Sequence, residues 1–128
     1  MSARVLLVDD NVLDRELATW ALRRLPSPPG PIELVCAATW DEARGFLAAG
    51  DVDLLLLDYN LPGQTGLEIM RSEPIPGRPR VIMVTGQEDV ATAVATMREG
   101  AFDYVPKGMD WAETLQRVVT RALEPAAS

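Results

Sequence analysis

Short apolar runs alternate with longer amphipathic stretches along this chain. Val5-Leu6-Leu7-Val8, residues 32–37, Leu54-Leu55-Leu56-Leu57, Val81-Ile82-Met83-Val84 and residues 102–105 predict five strands. Several are apolar throughout, as strands covered on both faces are, so the sheet they predict is parallel and buried. Between them the spacing predicts helices. Over 11–25, Leu13, Leu17, Trp20, Ala21 and Leu25 recur at helical intervals until Pro26 ends the run. Residues 39–49 predict a second helix closed by Gly50, and 66–71 a short third, cut off by Pro74. Residues 88–99 place Val90, Val94 and Met97 on one face before Gly100, and 111–123 place Trp111, Leu115, Val118 and Ala122 on another. Strand and helix in strict alternation predict an α/β fold, a doubly wound five-stranded parallel sheet flanked by five helices.

The chain of 128 residues has room for one such domain, and its 48% apolar composition suits a real core. Pro-rich stretches at 26–31 and 74–79 fall between elements and predict stiff surface loops. We assign 1–124 to one domain and 125–128 to a tail or truncated linker.

Twelve basic against nineteen acidic residues give a net charge of −7, which opposes binding to nucleic acid or an anionic membrane. There is no histidine, which removes Ser-His-Asp and Cys-His catalysis, His-ligated zinc and any phosphohistidine on this chain. The one cysteine, Cys36, lies in an apolar run and is expected to fill core in a reducing cytoplasm. No signal peptide or membrane span is apparent.

In open α/β sheets ligands collect beyond the carboxyl ends of the strands. After the first strand stand Asp9 and Asp10, after the third Asp58, after the fourth Thr85, and after the fifth Pro106 and Lys107. Singly, each fits an ordinary role: acidic residues at a helix start, a turn aspartate, a capping threonine, a solvated lysine. Jointly, five such matches arise by chance on the order of once in a million. Three converging carboxylates repel one another, and Mg²⁺, a hard cation that also accepts phosphate oxygens, relieves that repulsion. Lys107 and the Thr85 hydroxyl suit phosphoryl oxygens, and Asp58 is the candidate nucleophile.

The motifs Val5-Leu6-Leu7-Val8-Asp9-Asp10-Asn11, Leu56-Leu57-Asp58-Tyr59-Asn60-Leu61-Pro62-Gly63, Val84-Thr85-Gly86 and Gly100-Ala101-Phe102-Asp103-Tyr104-Val105-Pro106-Lys107 resemble the receiver domains of two-component response regulators. The resemblance spans essentially the whole chain. It implies the flavodoxin-like strand order 2-1-3-4-5 and a phosphorelay role, with Asp58 accepting the phosphoryl group from a sensor histidine kinase. By the same resemblance Asp9, Asp10, Asp58 and the carbonyl of Asn60 hold Mg²⁺, and Thr85 and Lys107 bind the phosphoryl oxygens. Tyr104 is then a switch that follows Thr85, and Asn60 and Gln87 tune dephosphorylation. The implied chain is no enzyme beyond its own phosphorylation and dephosphorylation. Its output surface is expected on the fourth helix, fifth strand and fifth helix, around Met97, Tyr104 and Trp111, where a homodimer, an output protein or a fused effector domain would bind. The chain departs from the family at Gly108, where a proline usually follows the lysine; here Pro106 precedes it. The stretch 107–123 is similar to receivers that begin longer proteins.

Two other classes compete. A flavodoxin-like protein needs a hydroxyl- and Gly-rich loop after the first strand, where Asp9 and Asp10 would repel a phosphate, and an Asp-nucleophile phosphatase needs a different aspartate spacing. A degenerate receiver serving only as a docking module predicts loss of Asp58, Thr85 or Lys107, and all three are present.

Overall fold

The computed structural model describes residues 3–26, 31–86 and 89–124. Its elements in chain order are β1 (Ala3–Val8), α1 (Val12–Arg23), β2 (Ile32–Ala37), α2 (Trp40–Ala49), β3 (Leu54–Asp58), β4 (Asn60–Leu61), β5 (Gln64–Thr65), α3 (Gly66–Ser72), β6 (Arg80–Thr85), α4 (Val90–Arg98), β7 (Asp103–Pro106) and α5 (Trp111–Ala122). The main sheet runs β2-β1-β3-β6-β7 with every neighbouring pair parallel. Counted within that sheet, this is the anticipated order 2-1-3-4-5. The two-residue strands β4 and β5 form a small antiparallel hairpin after β3, a feature the periodicity did not predict.

The unbroken apolar runs follow from the layers on either side. Along β3, Leu54 and Leu56 enter one core and Leu55 and Leu57 the other, because successive side chains point to opposite faces. Val5 and Leu7 of β1 and Ile82 and Val84 of β6 join the first core; Leu6, Val8, Val81 and Met83 join the second. Helices α1 and α5 cover the first face through Ala18, Leu22, Leu115, Val118 and Val119. Helices α2 and α3 cover the second through Trp40, Ala43, Leu47 and Ile69. Local chemistry sets the helix starts: Asn11, Thr39 and Thr65 each accept a hydrogen bond from the backbone three residues on, and Thr65 with Glu68 completes a capping box. Gly50, at φ +90°, closes α2 as expected.

Two expectations about faces are corrected, on α1 and at Trp111. On α1 the buried residues are Ala18, Ala21 and Leu22, whereas Leu13 is 73% and Trp20 50% exposed, and Leu17 is exposed too. Small alanines let the helix approach the sheet closely, so the larger side chains are left outside. On α4 the stripe Val90, Val94 and Met97 faces outward, and Thr96 is the buried residue. Trp111 lies in the first core rather than on an outer surface. Cys36, on the edge strand β2, is half-buried against that core, and burial raises the pKa of its thiol. The fifth sheet strand begins at Asp103, one residue later than expected, although the Phe102 N–H still donates to the Val81 carbonyl at 2.7 Å.

Candidate functional site

The chain enters the sheet at β1, moves outward to β2, then crosses to β3 on the other side of β1. The strand order therefore reverses between β1 and β3, and their carboxyl ends open a crevice there. Asp9 follows β1 directly. Its N–H donates to the Ala37 carbonyl at 3.0 Å, its Oδ1 accepts the Asn11 N–H at 2.9 Å, and its carbonyl accepts from the Arg15 guanidinium at 2.7 Å. Such fixing suits a buried carboxylate, and Asp9 is buried. Asp58 is the last residue of β3, also buried, with Oδ1 accepting the Asn60 N–H at 3.3 Å. Asp10 stands exposed at the rim. One carboxylate oxygen from each of Asp9, Asp10 and Asp58 lies within 4.8 Å of the others.

Lys107 reaches this group from the end of β7. Its N–H donates to the Thr85 carbonyl at 2.7 Å, which ties the start of its loop to the end of β6. Its Nζ lies 2.9 Å from Asp9 Oδ2, 2.7 Å from Asp14 Oδ2 and 3.5 Å from Asp58 Oδ1. Thr85 ends β6, fully buried, opposite Pro106 in the register. Asp9, Asp10, Asp58, Thr85 and Lys107 thus stand at strand ends along one edge of the sheet, as the sequence predicted. Asp14 is the addition. A lone aspartate in the first turn of a helix is an ordinary partner of the helix dipole, so nothing in the sequence set it apart.

The electrostatics show a site with too much negative charge. Burial, then the charge of Asp9, pushes the Asp58 carboxyl up to about 7, against the opposing pull of Lys107 and the Asn60 N–H. Burial also works against the Lys107 ammonium, but hydrogen bonds to Asp14 and Asp9 and the charge of Asp58 outweigh it and hold its pKa above the usual lysine range. A donor set made wholly of carboxylate oxygens, still repelling one another with an ammonium beside them, fits a hard divalent cation of the Mg²⁺ kind.

Of the remaining candidates, Asn60 begins the β4–β5 hairpin and is exposed, with its N–H turned to Asp58. Tyr104 lies in β7 opposite Met83, half-buried against the second core. Met97 is exposed on α4. Gln87 lies outside the described residues.

Residues 5–119 match the response regulator receiver domain family. The transcriptional regulatory protein AruR of Pseudomonas aeruginosa is 33% identical over 122 residues, covering 91% of this chain and 48% of AruR. The response regulator MprA of Mycobacterium bovis is 38% identical over 120 residues, covering 92% of this chain and 50% of MprA. The chain therefore spans about half the length of these two relatives. Among solved structures, the Mn(2+)-bound form of response regulator Rcp1 superposes with a TM-score of 0.80 at 23% identity, covering 98% of this chain and 97% of Rcp1. The chemotaxis response regulator CheY4 of Vibrio cholerae gives 0.77 at 25% identity, covering 95% and 99%. Motifs at four strand ends, the sheet order that brings them together and a match running almost end to end place this chain in the response regulator receiver domain family.

Proposed function

We propose that this chain is a phosphoacceptor: Asp58 takes a phosphoryl group from the phosphohistidine of a sensor histidine kinase and so switches a partner-binding surface. One observation carries the reading. The buried Asp58 carboxylate has an ammonium 3.5 Å away and lies within 4.8 Å of two further carboxylates, at the strand-order reversal.

The ionised Asp58 attacks phosphorus in line. An O–P bond forms as the donor's P–N bond breaks, and its electron pair returns to the imidazole ring. With a small donor such as acetyl phosphate the bond broken is P–O, and acetate leaves without needing a proton. Mg²⁺, held by Asp9, Asp10, Asp58 and the Asn60 carbonyl, would supply positive charge that favours ionised Asp58 and neutralises the phosphoryl oxygens. Lys107 and the Thr85 hydroxyl bind those oxygens, so no general base is required. Water then returns Asp58 to its carboxylate with release of phosphate. By the family resemblance Asn60 and Gln87 tune this step; as neutral amides they are suited to orienting water and not to acting as strong bases. The chain turns over no other substrate in this reading.

Phosphorylation gives Thr85 a charged acceptor, and movement of Thr85 toward it makes room for Tyr104 to rotate inward from β7. The surface of α4, β7 and α5, where the exposed Val94 and Met97 and the half-buried Tyr104 lie, is then read by a second copy, an output protein or a fused effector. The greater length of AruR and MprA supports an output carried outside these residues. A net charge of −7 argues against direct nucleic-acid binding. We place the protein in the cytoplasm, where histidine kinases present their phosphohistidine; among the described residues no helix is long and apolar enough to cross a membrane.

Intact mass after incubation with acetyl phosphate tests the reading. The wild type should gain one phosphoryl group with Mg²⁺ and none with a chelator, and Asp58→Asn should gain none. An unchanged wild-type mass, under conditions that label another receiver, favours the docking-module alternative and overturns ours.

A further inference from the structure

The nearest carboxylate to the Lys107 ammonium belongs neither to Asp58 nor to the group of three. Asp14 Oδ2 lies 2.7 Å from Nζ, inside the 2.9 Å to Asp9 and well inside the 3.5 Å to Asp58. Asp14 is held in turn: its backbone N–H donates to the Asn11 side chain at 3.0 Å, which sets it in the first turn of α1. The Lys107 side chain is 13% exposed and that of Asp14 28%, so water screens the pair only partly. An ammonium has three donors, and here its two shorter contacts go to Asp14 and Asp9, with Asp58 the most distant of the three carboxylates around it.

Asp9 is bonded to Lys107 and is also one of the group of three carboxylates, so its hold on the ammonium depends on what that group carries. Asp14 lies outside the group, and its hold does not. We infer that Asp14 is a positioning residue that draws the Lys107 ammonium toward α1, so that Asp14 competes with the phosphoryl oxygens for Lys107 in the phosphorylated state. The inference rests on the phosphoacceptor reading and adds a residue to it. Asp14 touches no reacting atom; it acts through Lys107 alone. Removing its charge frees the ammonium and favours every state in which Lys107 lies on a phosphoryl group.

The test is a double-mutant cycle on the folded chain. Asp14→Asn, Asp14→Ala and Asp14→Glu are made with Lys107 and again with Lys107→Gln, and thermal melts confirm that each variant folds. Two quantities are read in Mg²⁺: the affinity for beryllofluoride, a non-covalent phosphoryl mimic, and the initial rate of labelling by acetyl phosphate. Asp14→Asn and Asp14→Ala should bind beryllofluoride about three- to tenfold more tightly and label faster in proportion, the range expected for releasing one partly water-screened ion pair. Asp14→Glu, which keeps the anion, should restore the wild-type values. With Lys107→Gln the difference between Asp14 and its variants should vanish, which a merely structural role for Asp14 would not produce. Equal or weaker beryllofluoride binding by Asp14→Ala, or a difference that survives Lys107→Gln, overturns the inference while leaving the phosphoacceptor reading intact. A wild type that neither labels nor binds beryllofluoride overturns both.

Discussion

Gly66 leaves no room for a side chain beside Asp58: a Cβ added to it would stand 2.7 Å from the Asp58 main-chain oxygen and 2.7 Å from Met83 Sδ. Its N–H also donates to the Tyr59 carbonyl at 2.7 Å, so α3 starts pressed against the corner that follows β3. The Met83 side chain can move, but the Asp58 oxygen cannot shift without shifting the candidate nucleophile. Gly66→Ala should therefore cost about 1–3 kcal/mol, as overpacking does elsewhere. It should also slow labelling of Asp58 in the fraction that remains folded. Urea midpoints and initial labelling rates measure the two effects. A variant as stable and as readily labelled as the wild type would mean that this corner relaxes freely.

The raised Asp58 carboxyl predicts an unusual pH dependence without a cation. An unfolded chain releases this proton near pH 4 and the folded chain near pH 7, so between those values the folded state binds more protons. Stability from this group is therefore greatest below about pH 4 and falls as pH rises to 7, by up to about 4 kcal/mol. In chelator, Asp58→Asn should flatten that fall and melt above the wild type at pH 8. Mg²⁺, by binding only the folded site, should raise the wild-type melting temperature most at high pH and do little for Asp58→Asn. Equal slopes for the two proteins in chelator would show that another group carries the titration.

Helix α1 offers a direct comparison of two leucines. Leu22 is buried in the first core, so Leu22→Ala should destabilise by about 2–5 kcal/mol through lost burial and the cavity left behind. Leu13 is exposed, so Leu13→Ser should stay within about 0.5 kcal/mol. Denaturant midpoints at constant slope decide it. The reverse ranking would require the helix to be rotated about its axis.

For the switch, Thr85→Ala should still accept a phosphoryl group on Asp58 while responding less in partner binding or self-association, because the hydroxyl that follows the phosphoryl oxygen is gone. Tyr104 should show the largest change in NMR environment on adding beryllofluoride among residues that do not touch it. Binding that switches while Tyr104 keeps one environment would move the output to another face, with α3 the next place to look.

Much of this protein was legible along the chain because its sheet is covered on both faces. The unbroken runs at Leu54-Leu55-Leu56-Leu57 and Val81-Ile82-Met83-Val84 are too short for buried helices and too apolar for half-exposed strands, and the polar residue that ends each run lies at the carboxyl edge of the sheet. Hence Asp9, Asp58 and Thr85 could be picked out from order alone, as could the capping role of Gly50. Periodicity could not say which helical face turns inward. Leu13, Leu17 and Trp20 recur correctly, yet packing chose the alanines beside them, because how near a helix can approach depends on the shape of the surface it meets. The partnership of Asp14 with Lys107 was equally invisible. The two residues are 93 positions apart, on α1 and beyond β7, and only the folded sheet brings a carboxylate of no sequence distinction to 2.7 Å from the ammonium. Local order determines which groups stand at strand ends; contacts between distant segments are long-range closures, and only the tertiary fold decides which of them form.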